Sequence, residues 1–151
     1  MSIEQEIKQN KPFSSSNEKA IINVIYTNNW LYLHHNKLFK KYGLSMQQYN
    51  VLRILNGQKE DPLTINGIID RMLDKMSNAS RLVDKLFLKD YVTRVENKAD
   101  RRACDVAITS AGRDALAEID DELKSLQSNL TNLNEDEAEK LSGLLDVMRG
   151  K

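Results

Sequence analysis

The chain carries one cysteine, Cys104, so no internal disulfide is open to it, which fits a reducing compartment. Glycine is scarce, at positions 43, 57, 67, 112, 143 and 150, and this scatter spells neither a phosphate-binding loop nor a dinucleotide fingerprint. The G-x-S-x-G nucleophile turn is missing, as are CxxC, HExxH and an acidic loop of calcium spacing. The two histidines, His34 and His35, are adjacent; on a helix they diverge by about 100° and cannot clamp one metal from one face. No catalytic constellation, metal site or cofactor is therefore expected. No apolar run approaches the roughly 18 residues that span a bilayer. The N-terminal MSIEQEIKQNKPFSSSN lacks the basic-then-apolar layout of a signal peptide. The expectation is a cytoplasmic protein with no membrane segment and no enzymatic activity.

What is present is an ordinary globular balance, 40% hydrophobic and 29% charged over 151 residues, enough for one compact domain with a real core. Net charge is zero, but it is unevenly placed. Residues 71–113 hold ten basic against six acidic side chains, whereas residues 114–151 hold four against ten. Phosphate binding needs a local positive surface rather than a basic whole, so this asymmetry keeps nucleic acid open as a partner. An ordinary solvated face accounts for the charge equally well.

Apolar periodicity predicts a long helix over 18–42 (Ile21, Ile22, Val24, Ile25, Leu31, Leu38, Phe39), stopped by Gly43. Ser45 with Gln48 has capping-box spacing and starts a second helix through Met46, Tyr49, Leu52 and Leu55. After the loop GQKEDP, a short third helix runs from Thr64 to about Arg71. From Ser77 to Lys89, Ala79, Leu82, Val83, Leu86 and Phe87 form an apolar stripe, while Asn78, Arg81 and Lys85 take another face. YVTRVE (91–96) and ACDVAI (103–108) flank the polar NKADRR and read as a β-hairpin. Thr109 or Ser110 caps a helix to about residue 131, and Asn134 with Glu137 opens the last one. The flanking helices carry more apolar surface than a hairpin can cover, which predicts a partner chain interleaving with them.

A short helix, a turn and a basic amphipathic helix are what a helix-turn-helix requires. Ser77, Asn78 and Ser80 are small enough for close backbone approach, Arg81 can pair bidentately with guanine, and Lys85 can meet the backbone one turn on. The hairpin adds Arg94, Lys98, Arg101 and Arg102, with Asp100 placed to orient Arg102 toward a narrow, negative minor groove. Taken singly, each group is equally a solvated surface charge; the combination favours DNA.

Here the chain resembles a known family. Asp100-x-Arg102, five residues, Ile108-Thr109, two residues and Gly112 follow the D-x-R-x5-[LI]-T-x2-G pattern of MarR-type winged-helix regulators, and MSNASRLVDKL is similar to their recognition helix. The likeness covers roughly residues 18–148. It implies a mainly α fold with a small β-hairpin wing: a winged helix-turn-helix over 45–109, helical dimerisation regions over 18–44 and 110–151, and a polar N-terminal arm over 1–17. It further implies a homodimer on a pseudo-palindromic operator, commonly released by a small effector. Ser77, Asn78, Ser80 and Arg81 would then face the major groove, and Arg102, supported by Asp100, the minor groove. The chain departs from the family at Asp90, where glycine is usual; aspartate tolerates the left-handed conformation with modest strain.

Tyr26, Trp30, His34 and Tyr49, with Tyr42 nearby, are candidates for lining a pocket for a small aromatic or phenolic effector. Core packing or dimer contact explains the same residues more simply. Cys104 shares strand parity with Val106 and Ile108 and is expected to be a core thiol rather than a redox switch. The competing functional expectation is a helical protein–protein interaction module whose basic segment, 71–105, binds an acidic partner.

Overall fold

In a computed structural model the described residues are 1–58, 61–97 and 104–151. They form seven helices and three strands: α1 (Ile3–Glu6), α2 (Ser16–Lys41), α3 (Met46–Gly57), β1 (Leu63–Thr64), α4 (Ile65–Ile69), α5 (Ala79–Phe87), β2 (Val92–Glu96), β3 (Cys104–Ile108), α6 (Ser110–Leu130) and α7 (Glu135–Met148). The mainly helical architecture with a hairpin matches the sequence expectation.

Local chemistry sets the element boundaries. The Ser45 hydroxyl accepts from the Gln48 amide while the Gln48 side chain accepts from the Ser45 amide, closing the predicted box at α3. Asn134 and Glu137 do the same for α7. Helix α2 ends in a Schellman closure: Leu44 N–H donates to Phe39 C=O, Gly43 N–H donates to Lys40 C=O, and Gly43 takes φ +63°. Helix α5 ends the same way, with Tyr91 N–H donating to Leu86 C=O and Asp90 N–H to Phe87 C=O. Asp90 holds the left-handed position at φ 59°, as its place in the sequence predicts.

The core lies where α2, α3, α4, α5, the sheet and α6 converge. Phe39, Val51, Leu52, Leu55, Ile68, Val83, Leu86, Val106, Leu116 and Ile119 are essentially sealed from water. Each such side chain contributes about 1.5–3 kcal/mol of burial, which is what holds the short α4 and α5 in place. The sheet order is β1-β3-β2, all antiparallel, with Val92 opposite Ile108 and Arg94 opposite Val106. Sequence patterning misses β1, because two residues carry no periodicity; pairing of Leu63 with Val106 creates it.

The N-terminal arm is more than polar chain. Helix α1 buries Ile3 and docks on α2 through Glu4–Lys19 (2.7 Å) and the Tyr26 hydroxyl, which donates to Glu6 (2.6 Å). The Lys19 bond lowers the Glu4 carboxyl to about 2. Across the body, two acids of α6 are each held by a tyrosine and a cation. Asp120 accepts from Tyr49 (2.7 Å) and Arg53 (2.9 Å); Glu122 accepts from Tyr42 (2.7 Å) and Lys41 (2.8 Å). The bond to Glu122 is the main reason the Tyr42 phenol is pushed up to about 12.

Candidate nucleic-acid interface

Helices α4 and α5 are joined by a turn that Asp74 organises. Its carboxylate accepts from the Met76 amide (3.0 Å) and the Ser77 hydroxyl (2.9 Å), and these bonds, Ser77 first, hold it below the usual carboxylate range. Asn50 of α3 accepts from the Leu73 amide (3.0 Å) and pins the turn to the core. Ser77 is thus half-buried and already engaged as a donor, so it stands before the helix rather than within it.

The recognition-type helix begins later than periodicity suggests. Asn78 is its N-cap, with its side-chain oxygen accepting from the Arg81 amide (3.1 Å), so only the amide NH2 remains to meet a ligand. Ala79, Val83 and Leu86 are buried, while Ser80, Arg81 and Lys85 project outward with no ion-pair partner among the described residues. Of the sequence-predicted residues on α5, these three have the freest side chains.

Arg94 behaves differently. It lies on the core-side face of β2, ion-paired with Asp84 of α5 and 6.0 Å from the centroid of the Phe87 ring. Burial alone would lower its basicity, but bonding to Cys104 and Asp84 raises it. Its guanidinium is directed at α5, not outward with Arg81. Asn97, just past the loop end of the β2–β3 ladder, donates to Asp105 (2.8 Å). Lys98, Asp100, Arg101 and Arg102 lie outside the described residues.

The second half of the motif explains itself physically. Thr109 caps α6 by accepting from the Gly112 amide (2.9 Å), and its hydroxyl donates to Asp90 C=O (2.7 Å). Its own amide donates to Tyr91 C=O (3.0 Å). Gly112 lies so close to that carbonyl that a Cβ would sit 2.2 Å from the oxygen. Threonine and glycine at this spacing therefore weld the end of α5 to the start of α6. Cys104, partly buried and packed against the core, keeps the parity expected of it.

The four effector candidates are not gathered at one place by the contacts they make. Trp30 meets His34 edge-on at 4.8 Å, Tyr49 stacks on Phe39 at 4.7 Å with its hydroxyl on Asp120, and Tyr26 is bonded to Glu6. His35, which sequence reasoning set aside, is half-buried, and burial first, then the neighbouring His34, lowers its basicity.

A helix, turn and exposed basic helix, followed by a hairpin, define a winged helix-turn-helix protein. Residues 42–103 match the model of the MarR family. The chain is 27% identical over 148 residues to the HTH-type transcriptional regulator MgrA of Staphylococcus aureus, covering 96% of this chain and 91% of that protein. Its fold is similar to a putative MarR-like transcription regulator from Bacillus cereus (TM-score 0.77, 20% identity, 89% of this chain and 96% of that one). It is also similar to a cysteine-to-serine mutant of E. coli MarR complexed with operator DNA (TM-score 0.74, 20% identity, 98% and 99%). Over residues 42–103 the chain is thus similar to the MarR family of transcriptional regulators, and over most of its length it shares the fold of solved MarR-type proteins. Among the described residues, no helix is long and apolar enough to cross a membrane.

Proposed function

We propose that the protein is a homodimeric, sequence-specific DNA-binding regulator, a ligand-responsive repressor acting in the cytoplasm by binding alone. The observation that carries the DNA reading is the outer face of α5, where Ser80, Arg81 and Lys85 stand exposed beside a hairpin, with no ion-pair partner among the described residues. The E. coli MarR mutant, whose backbone is similar, is complexed with operator DNA. Asn78 offers its amide NH2, Ser77 supports the turn, and by resemblance Lys98, Arg101 and Arg102 would add cations, with Asp100 supporting Arg102.

The homodimer reading rests on apolar surface that one chain leaves uncovered. On α2, Ile25 is 53% and Leu33 68% exposed; on α7, Leu144 is 67% and Val147 69% exposed. Such paired stripes at the two ends of the chain fit helices of a second copy, which would set two α5 helices about one turn of DNA apart, about 34 Å. Tyr26, Trp30 and His34 lie on the same helix, so an aromatic effector would act at or near that interface, with Tyr49 toward the core.

The test is a mobility shift with the promoter fragment adjoining the protein's own gene against unrelated duplexes of equal length. Retention should prefer that fragment, and affinity should fall by about 0.9 log unit per neutralised phosphate for each log unit of salt. Arg81→Ala and Arg102→Ala should each cost about 1–3 kcal/mol of specific binding while the protein stays folded and dimeric by light scattering. Weak, sequence-blind retention at low salt alone would instead support the protein–protein module. Mass spectrometry of co-purified small molecules addresses the effector.

A further inference from the structure

We propose that Asp84 and Arg94 form a brace that fixes the angle between the recognition helix and the wing, so that Arg94 is a positioning residue rather than a DNA contact. The proposal rests on the DNA-binding reading and adds to it what sets the geometry of the two contacting elements.

Three observations converge. First, Asp84 sits on the exposed side of α5, one residue before Lys85 and three after Arg81. A carboxylate on a face that meets phosphates is repelled by them, so its presence there calls for an intramolecular reason. Second, its partner is Arg94, whose side chain is only 29% exposed against 51% for Asp84. The guanidinium is held between helix and sheet, with Phe87 beneath it and Cys104 of β3 beside it. Ser80, Asp84 and Phe87, at i, i+4 and i+7, form one row along the flank of α5, and Arg94 reaches the two C-terminal members of that row.

Third, the path from α5 to β2 is only Leu88–Tyr91, closed by the Asp90 turn, and the ribbon is otherwise seated by buried apolar side chains, Val92, Val106 and Ile108, and by the pairing of β3 with β1. Apolar packing is non-directional. The Asp84–Arg94 pair adds a directional polar contact between α5 and β2 themselves, at the level of Val106, and so fixes the angle between them. Strand β2 leads directly into residues 98–103, whose sequence carries the wing's cations, so the angle set at Arg94 decides where those cations start.

The experiment uses the full-length protein and 30-base-pair duplexes recovered by the wild type from a random library. A carboxylate that merely faces DNA strengthens binding when neutralised, whereas a brace weakens it when broken. Asp84→Asn is therefore expected to lower specific affinity about three- to fivefold, the range that coupling in a part-exposed ion pair allows. Arg94→Gln should weaken binding to the same extent and leave the salt dependence unchanged, where loss of a phosphate contact would reduce its slope by about 0.9. The double variant should be no weaker than either single one, and Asp84→Glu, which keeps the charge, should retain affinity nearer the wild type. Melting temperatures of all four variants check that they fold.

Equal or tighter binding by Asp84→Asn overturns the brace, as does a reduced salt slope in Arg94→Gln or an additive loss in the double variant. A wild type that selects no sequence from the library removes the DNA reading itself, a failure distinct from these.

Discussion

Adding one methyl group at Gly112 sets two physical effects of opposite sign against each other. Helix propensity favours alanine over glycine by up to about 1 kcal/mol, so an unencumbered site would be stabilised. Here the new Cβ lies 2.2 Å from the Tyr91 carbonyl oxygen and 2.9 Å from Cγ1 of Ile108. The carbonyl cannot retreat freely, because Thr109 N–H is bonded to it at 3.0 Å and Ile108 is itself buried. Overpacking against a yielding side chain costs about 1–3 kcal/mol, and a backbone obstruction belongs at the upper end of that range. The steric effect therefore wins, with a net loss of about 2 kcal/mol. In a chain of this length each kcal/mol corresponds to about 2–4 °C, so Gly112→Ala should melt about 4–8 °C below the wild type. Circular dichroism at one fixed protein concentration measures this, since association shifts the midpoint by mass action. A variant that melts at or above the wild-type temperature would show that the α5–α6 joint is not packed as described.

Asp90→Gly should act in the opposite direction, raising stability by about 0.5–1 kcal/mol, because φ 59° costs an L-residue more than glycine loses in chain entropy; thermal melts check it. Glu122→Gln should flatten the acid limb of the stability curve. The Glu122 carboxyl is lowered chiefly by its bonds from Lys41 and Tyr42. Its contribution is thus complete above the ordinary glutamate range and is lost as pH falls through the depressed folded value. Wild type should lose stability more steeply than the variant below about pH 4.3, read by denaturant titration across pH. If the proposed dimer forms through α7, Leu144→Asp, which charges its exposed stripe, should give a monomer in light scattering without unfolding the chain, since that side chain is 67% exposed.

Where bonding is local, the sequence could be read almost to the residue. Ser45 with Gln48, and Asn134 with Glu137, close boxes over three residues, and nothing distant has to cooperate. Asp90 was legible for the same reason: a helix end needs a left-handed residue, and aspartate is among the few that accept it. The exposed polar face of α5 was legible in part, since the outward placement of Arg81 and Lys85 follows from helical periodicity alone. Legibility failed where a polar side chain had a partner remote in sequence. Periodicity cannot show that Arg94 turns to Asp84, that Asn78 and Ser77 are occupied in the turn, or that Tyr49 is tied to Asp120. Helix α1 failed for another reason, because four residues with one buried isoleucine carry no pattern until α2 is there to receive them.

Helix α2 is a single rod of 26 residues, roughly 39 Å long, with no proline and with its last turns, at Leu38 and Phe39, sunk in the body while most of its earlier surface stands outside. It works as an oar with its blade in the water: a swing of about 5° at the free end sweeps about 3 Å over that length. Whatever grips the outer portion can thereby steer the buried end, with no joint in between to absorb the stroke.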